Sequence, residues 1–102
     1  EDRTQILISG TASIDRNGEI VAPGDIGKQT ERTFVNIGAL LKEAGASFED
    51  LAQMIVYIRD TADYQTVKEY IDRNHPDVPK VITWAPVCRP GWLVEVECIA
   101  YV

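Results

Sequence analysis

Cysteine is scarce in this chain of 102 residues: there are two, Cys88 and Cys98, with no Cys-x-x-Cys spacing, and His75 is the single histidine. A disulfide scaffold and a zinc site are therefore poorly supported, and no metal or cofactor is expected. Reduced thiols in a cytoplasmic protein are the simplest reading of the two cysteines. Long apolar runs are missing too. None approaches the ~18 residues that would span a bilayer, and no signal-peptide pattern precedes the first strand, so no membrane partner is expected. Positive charge is also in deficit, with 10 Lys and Arg against 16 Asp and Glu for a net charge of −6. A nucleic-acid partner is disfavoured, because affinity for a phosphate backbone rests on clustered cations. An anionic substrate would have to be drawn in by a local cationic pocket, since the field of the whole protein repels it.

What the chain does contain is one domain's worth of alternating pattern, residues 1–102, with 45% apolar residues and no repeat, linker or low-complexity segment. It starts at Glu1 and runs almost at once into a strand, which suggests the C-terminal piece of a longer chain. Gln5 to Ser9 is β-rich and stops at Gly10, and Thr11 to Ile14 extends that strand or begins a second one. Asn17-Gly18 is a strong hairpin signal. From about Gly27 to Ala44, Phe34, Ile37, Leu40, Leu41 and Ala44 form a stripe of helical period, with Gly45 placed to end the helix. Ser47 leads a single helical turn through Glu49-Asp50. The run from Gln53 to Ile58 reads as a strand buried on both faces. Asp60 to Asp63 offer caps for a second helix with Tyr64, Val67, Tyr70 and Ile71 on one side. His75 falls in a Pro-flanked loop and is expected to be solvent-exposed. Two last strands follow, Val81 to Val87 and Trp92 to Tyr101.

The order β-β-α-β-α-β-β predicts an α+β fold, a mixed sheet with two helices on one face. Two helices cover one face only. The other would carry Ile55 or Val56, Trp84, Ile99 and Tyr101, according to register. That much apolar surface calls for a homo-oligomer.

The stretch Cys88-Arg89-Pro90-Gly91-Trp92-Leu93-Val94-Glu95-Val96-Glu97 is the most informative. A strand repeats every two residues, so Glu95 and Glu97 share one face while Val94, Val96 and Cys98 share the other. Paired acids beside a Cys and an Arg form either a solvated sheet surface or the wall of a site.

Several of these features together resemble the Rid/YjgF family of small trimeric proteins. They are Ser9-Gly10, Gln29 and Asn36 on the first helix, Leu40 with Ala44-Gly45-Ala46 at its end, Tyr57 and Asp60, and Glu95-Val96-Glu97-Cys98-Ile99-Ala100. The resemblance implies a homotrimer with a barrel-like centre of the chorismate-mutase-like kind. It also implies clefts between subunits that bind a small carboxylate metabolite. The chain departs from the family in three ways: Lys80 stands where the deaminases of the family have a carboxylate-clamping Arg, Ile82 stands where they often have Cys, and an N-terminal extension is lacking. Lys keeps the charge but loses the planar two-pronged donor. The run from Cys88 to Glu95 is also similar to the C-terminal domain of chorismatases, in which the active-site Glu follows a Cys at the same spacing.

Both resemblances imply a hydrolase that places water on a carbon bonded to N or O, either an imine or enamine deaminase or a chorismatase-like enzyme. Glu95 is the candidate catalytic residue, because a carboxyl group in a cleft can take up and release a proton at working pH. Arg89 is the candidate carboxylate anchor in the chorismatase-like reading, and Lys80 the alternative. Cys88 and Tyr57 are candidate cleft-lining residues, while Gly10 and Thr11 bring backbone close to a ligand. Glu97 is expected to be structural, pairing with a neighbouring subunit or loop. Trp84 and Trp92 are expected to pack at an interface or in the core. A non-catalytic trimeric metabolite-binding or assembly domain is the alternative function.

Overall fold

A computed structural model describes residues 3–87 and 89–102. It contains β1 (Gln5–Thr11), α1 (Ile26–Glu43), β2 (Leu51–Ile58), α2 (Tyr64–Asn74), β3 (Lys80–Trp84) and β4 (Val94–Tyr101), with 3₁₀ turns at Phe48–Asp50 and Thr61–Asp63. The sheet order is β1-β4-β2-β3. β4 runs antiparallel to both β1 and β2, and β2 is parallel to β3 through the α2 crossover. The mixed sheet with two helices expected of an α+β domain is therefore present.

Local chemistry explains why α1 starts and stops where it does. Asp25 has an extended backbone and accepts from the Lys28 N–H at 3.0 Å, which occupies one of the donors that a helix start leaves unpaired. At the other end Ala46 N–H reaches Leu41 O at 2.8 Å and Gly45 N–H reaches Lys42 O at 3.1 Å. This double closure needs a left-handed residue, and Gly45 supplies it with φ +79°.

One face of the sheet and one face of each helix make the core. Phe34, Ile37 and Leu41 of α1 and Val67 and Ile71 of α2 pack on Met54, Val56, Ile58, Val94, Val96, Cys98 and Ala100. The period of two holds along β4, whose core side is Val94, Val96, Cys98 and Ala100. Glu95, Glu97, Ile99 and Tyr101 face the other way.

The details correct several expectations. Among the described residues the sheet has four strands, because the expected second strand is reduced to a single bridge, Ile14 to Ile20. The Asn17-Gly18 turn does close, with Asp15 Oδ1 accepting from Asn17 and Glu19 N–H. Across the hairpin Val21 N–H donates to Ser13 O and Asp15 N–H to Glu19 O, while the alternate carbonyls are taken by α1. Asn36 Nδ2 donates to Ala12 O and Ile14 O, and Arg32 Nε donates to Ile14 O. β2 is buried on one face only, since Gln53 is exposed and Ile55 and Tyr57 are half-buried. Asp60 and Asp63 make no side-chain cap: the Thr61–Asp63 turn runs straight into α2, and Asp60 pairs with Arg59 at 3.2 Å. Trp84 pairs in register with Ile58, which puts it on the helix side, although at the strand end it stays 66% exposed. On the uncovered face Leu7 and Val81 are 68% and 60% exposed and flank Ile55, Ile99 and Tyr101.

His75 is not a solvent-exposed loop residue. Its ring lies 5.0 Å from Phe34 and 4.5 Å from Phe48, inside an aromatic cluster. Burial lowers its pKa below 6.5 by penalising the charged ring. The unfolded chain therefore takes up a proton near pH 6.5 that the folded chain refuses, so stability falls as pH drops through that value and levels off below the folded pKa. We expect the urea midpoint to decline from pH 7 toward pH 5, and His75→Phe to remove this part of the decline. An unchanged slope in the variant would show that the cluster does not resist protonation. Ile37, fully buried on α1, tests the core: Ile37→Ala is expected to lower stability by about 2–5 kcal/mol in chemical denaturation.

Candidate functional site

The start of β4 is held by one side chain. Gln29, fully buried on α1, donates through Nε2 to Gly91 O at 3.1 Å and to Ala22 O at 3.2 Å. Its Oε1 accepts from Leu93 N–H at 2.9 Å. A buried amide is costly unless satisfied, and this one is satisfied by the backbone that delivers Val94 and Glu95 into the sheet. Trp92 is buried beside that clamp. The Arg89 guanidinium lies 5.1 Å from its ring centre, and the indole N–H has no partner among the described residues.

Glu95 is 9% exposed, on the face of the sheet that the helices leave uncovered. Its carboxyl group rests against Gly10. A Cβ built at Gly10 would lie 2.6 Å from Glu95 Oε2, so the carboxyl occupies space that any other residue would take. The register between β1 and β4 breaks between Ile8 and Thr11, where Ser9 and Gly10 fall. Such bulges re-aim side chains next to sites. Thr11 is buried, and its hydroxyl donates back to Ser9 O at 2.9 Å.

Tyr57 is directly across from Glu95 on β2, and its hydroxyl donates to Glu97 Oε1 at 2.5 Å. That bond, then burial and the charges of Glu97 and Glu95, hold the Tyr57 hydroxyl above its usual pKa of 10.0. Tyr57 therefore remains a donor well past neutrality. Next to Glu97 is a groove of about 260 Å³ lined by Leu7, Ser9, Gln53, Ile55 and Ile99. A second concavity of about 590 Å³ opens past Gly10 and Thr11 toward Arg16, Arg32, Asn36 and Trp92. Cys98 faces the core, and burial pushes its thiol up to about 11, so it is a packing residue there.

The structure thus brings Glu95, Gly10, Thr11 and Tyr57 together. Lys80 is not brought to them. It pairs in register with Met54, on the helix side, where its ammonium bonds the Asp72 carboxylate. Asp72 also holds Lys68 at 2.7 Å, and these two cations keep its carboxyl below the usual range. Arg89, exposed on the turn before β4, donates to Gly18 O at 2.7 Å. Cys88 lies outside the described residues, and the spacing argument that pairs it with Glu95 rests on sequence alone. The Tyr57–Glu97 bond was not foreseen. Its only trace in the sequence is a pair of polar residues within two apolar strands, and their alignment needs the β2–β4 register. Within its own chain the Glu97 carboxyl accepts from the Tyr57 hydroxyl.

Replacing Gly10 by Ala is expected to push the Glu95 carboxyl out of its place while the fold persists. The cost should be about 1–3 kcal/mol in denaturation, the usual size for overpacking a tight contact. A changed Glu95 carboxyl ¹³C resonance in the variant would confirm the displacement. Identical spectra would mean that the two groups do not touch in solution.

Comparison with known proteins places the chain. A family described as Endoribonuclease L-PSP matches residues 2–102. A RutC family protein of Pyrococcus abyssi is 38% identical over 101 residues, covering 94% of this chain and 77% of that protein. A protein of Bos taurus named 2-iminobutanoate/2-iminopropanoate deaminase is 31% identical over 103 residues, covering 97% of this chain and 73% of that protein. The crystal structure of RidA from the Antarctic bacterium Psychrobacter sp. superposes with a TM-score of 0.85 at 27% identity, over 96% of this chain and 80% of that one.

Proposed function

The chain belongs to the Endoribonuclease L-PSP family, the Rid/YjgF proteins, and on that premise we propose that it is a deaminase of small 2-imino or 2-enamino carboxylates. The observation that carries this reading is the Glu95 carboxyl, buried on an uncovered sheet face and seated in the space of the missing Gly10 side chain. The deaminase name of the bovine relative supports the choice of substrate class.

The chemistry asks for one group that moves protons. Water attacks the electrophilic C=N carbon, and Glu95 takes a proton from it and passes one to the imine nitrogen, giving a carbinolamine. Glu95 then accepts the hydroxyl proton and delivers a proton to the amine. The C–N bond breaks, ammonia leaves, and a 2-oxo acid remains with Glu95 again a carboxylate. The backbone at Gly10 and Thr11 lies beside the reacting atoms.

The substrate carboxylate needs a cation. Within one chain Lys80 and Glu95 lie on opposite sides of the sheet. The reading therefore places the working cleft between copies in a homotrimer, with Lys80 or Arg89 of one copy facing Glu95 of the next. The apolar strip of Leu7, Ile55, Val81 and Ile99 on the uncovered face supports association.

Glu95→Gln is expected to lower kcat for 2-iminobutanoate hydrolysis by about 100-fold or more, the size typical of losing a general acid/base, with the oligomer unchanged by light scattering. Full activity in that variant would end the deaminase assignment. Unfolding and refolding Glu95→Gln chains together with Lys80→Ala/Arg89→Ala chains tests the shared cleft. About a quarter of the wild-type rate should return, the statistical share of clefts that receive both intact sets in a closed ring. No recovery, with both variants inactive alone and mixed oligomers confirmed by mass, would place the cation and the acid in one chain.

A further inference from the structure

The concavity of about 590 Å³ runs between the segment from Gly10 to Arg16 and a face of α1 that carries Arg32, Asn36, Ala39, Leu40 and Glu43. These positions recur with the helical period, so they share one side of α1. α1 packs on the side of the sheet formed by Val94, Val96 and Cys98, opposite the face of Glu95. The groove and the Glu95 carboxyl therefore approach each other only across the backbone at Gly10 and Thr11.

Its walls are fixed by side chains that bridge helix and segment. Asn36 Nδ2 donates to Ala12 O and Ile14 O at 2.9 Å each, and Arg32 Nε donates to Ile14 O at 3.1 Å. That bond holds the Arg32 guanidinium half-buried and leaves its two Nη groups without a bond among the described residues. Arg16 stands exposed at the rim. Neither arginine makes an ion pair among the described residues, although the chain carries a net charge of −6. Asp15 and Glu43 line the same groove without such a pair, and Asp15 Oδ1 already accepts from Asn17 and Glu19 N–H. The remaining lining is mainly apolar, with Leu40 41% exposed in it. Trp92 completes the wall, and its buried indole N–H has no partner among the described residues.

We propose that this groove is a second ligand site, which takes a small monocarboxylate with a compact apolar body. A guanidinium anchored through Nε presents two parallel N–H donors, the pattern that a carboxylate accepts. Asp15 and Glu43 offset the two arginines, so a single negative charge suits the groove while a dianion such as phosphate meets repulsion. Ile14, Ala39 and Leu40 supply apolar surface that a ligand body removes from water. The volume falls within the roughly 300–1,000 Å³ of small-molecule pockets. Association through the uncovered face leaves this side open. The proposal does not rest on the deaminase reading.

Trp92 is the reporter. The other indole, Trp84, is 66% exposed outside the groove, so Trp84→Phe leaves the fluorescence of Trp92 alone. Phenylacetate titrated into that protein should change the emission with saturation and raise Tm. Phenylacetamide, which keeps the shape and loses the charge, and inorganic phosphate should each bind at least about tenfold more weakly. Arg32→Gln should weaken phenylacetate by about tenfold or more. Arg16→Glu should do the same, and its exposed position keeps the fold intact by circular dichroism. Glu95→Gln should bind phenylacetate as the parent does. An emission change without saturation, or affinity unchanged in both arginine variants, would overturn the site. Loss of binding in Glu95→Gln would overturn it too, by moving the ligand to the Glu95 face. Amide or phosphate binding as tightly as phenylacetate would overturn the ligand class. Turnover of 2-iminobutanoate by Glu95→Gln judges the deaminase reading separately.

Discussion

A single buried amide organises the part of this molecule that matters for function. Gln29 reaches from α1 to three backbone groups on two loops, at Ala22, Gly91 and Leu93. Removing it would leave a buried carbonyl and a buried N–H at the entry to β4 without their partner, a cost larger than the gain from any one of these bonds. β4 is the central hub of the sheet, since β1 and β2 both pair with it, so whatever sets its entry sets the register of the face on which Glu95 stands. The polar residues on the inner side of α1 are thus a framework for the site and not an interruption of the core. Thr30 and Thr33, also fully buried, satisfy their hydroxyls on the preceding turn at 2.8 Å each.

The one-sided covering of the sheet links architecture to chemistry. Both helices lie on the face made by Met54, Val56, Val96 and Cys98, where the interior is apolar. The opposite face combines apolar side chains with the carboxylates of Glu95 and Glu97 and the phenols of Tyr57 and Tyr101. A buried carboxyl such as Glu95 persists in such a place because glycine at position 10 makes room for it. The neighbouring Glu97 carboxyl is held by the Tyr57 hydroxyl at 2.5 Å.

Much of the fold was legible before any coordinates. The helical stripe through Phe34, Ile37 and Leu41, the stop at Gly45 and the alternation along β4 are local signals, and local signals survive when tertiary contacts agree with them. Several of the failures came from contacts that local pattern does not show. The Asn17-Gly18 turn formed, but its two arms meet in a single bridge, and Asn36 and Arg32 tie the outward carbonyls of Ala12 and Ile14 to α1. His75 was expected to be solvated because it lies in a Pro-flanked loop, yet Phe34 and Phe48 close around the ring. Lys80 sits at the expected spacing from Glu95, but spacing across two strands carries no information about which face of the sheet each residue uses.

The chain alone determined what depends on period and on the chemistry of single residues: the α+β class, the family, the shared face of Glu95 and Glu97, and a net acidic charge. Only the tertiary structure decided which strands meet and in what register, because hydrogen-bonded pairing joins residues that are far apart in sequence. From that register came the seat of Glu95 against Gly10, the bond from Tyr57 to Glu97, and the removal of Lys80 to the far side of the sheet. Side-chain alternation is written in each strand; the identity of its neighbours is settled by packing.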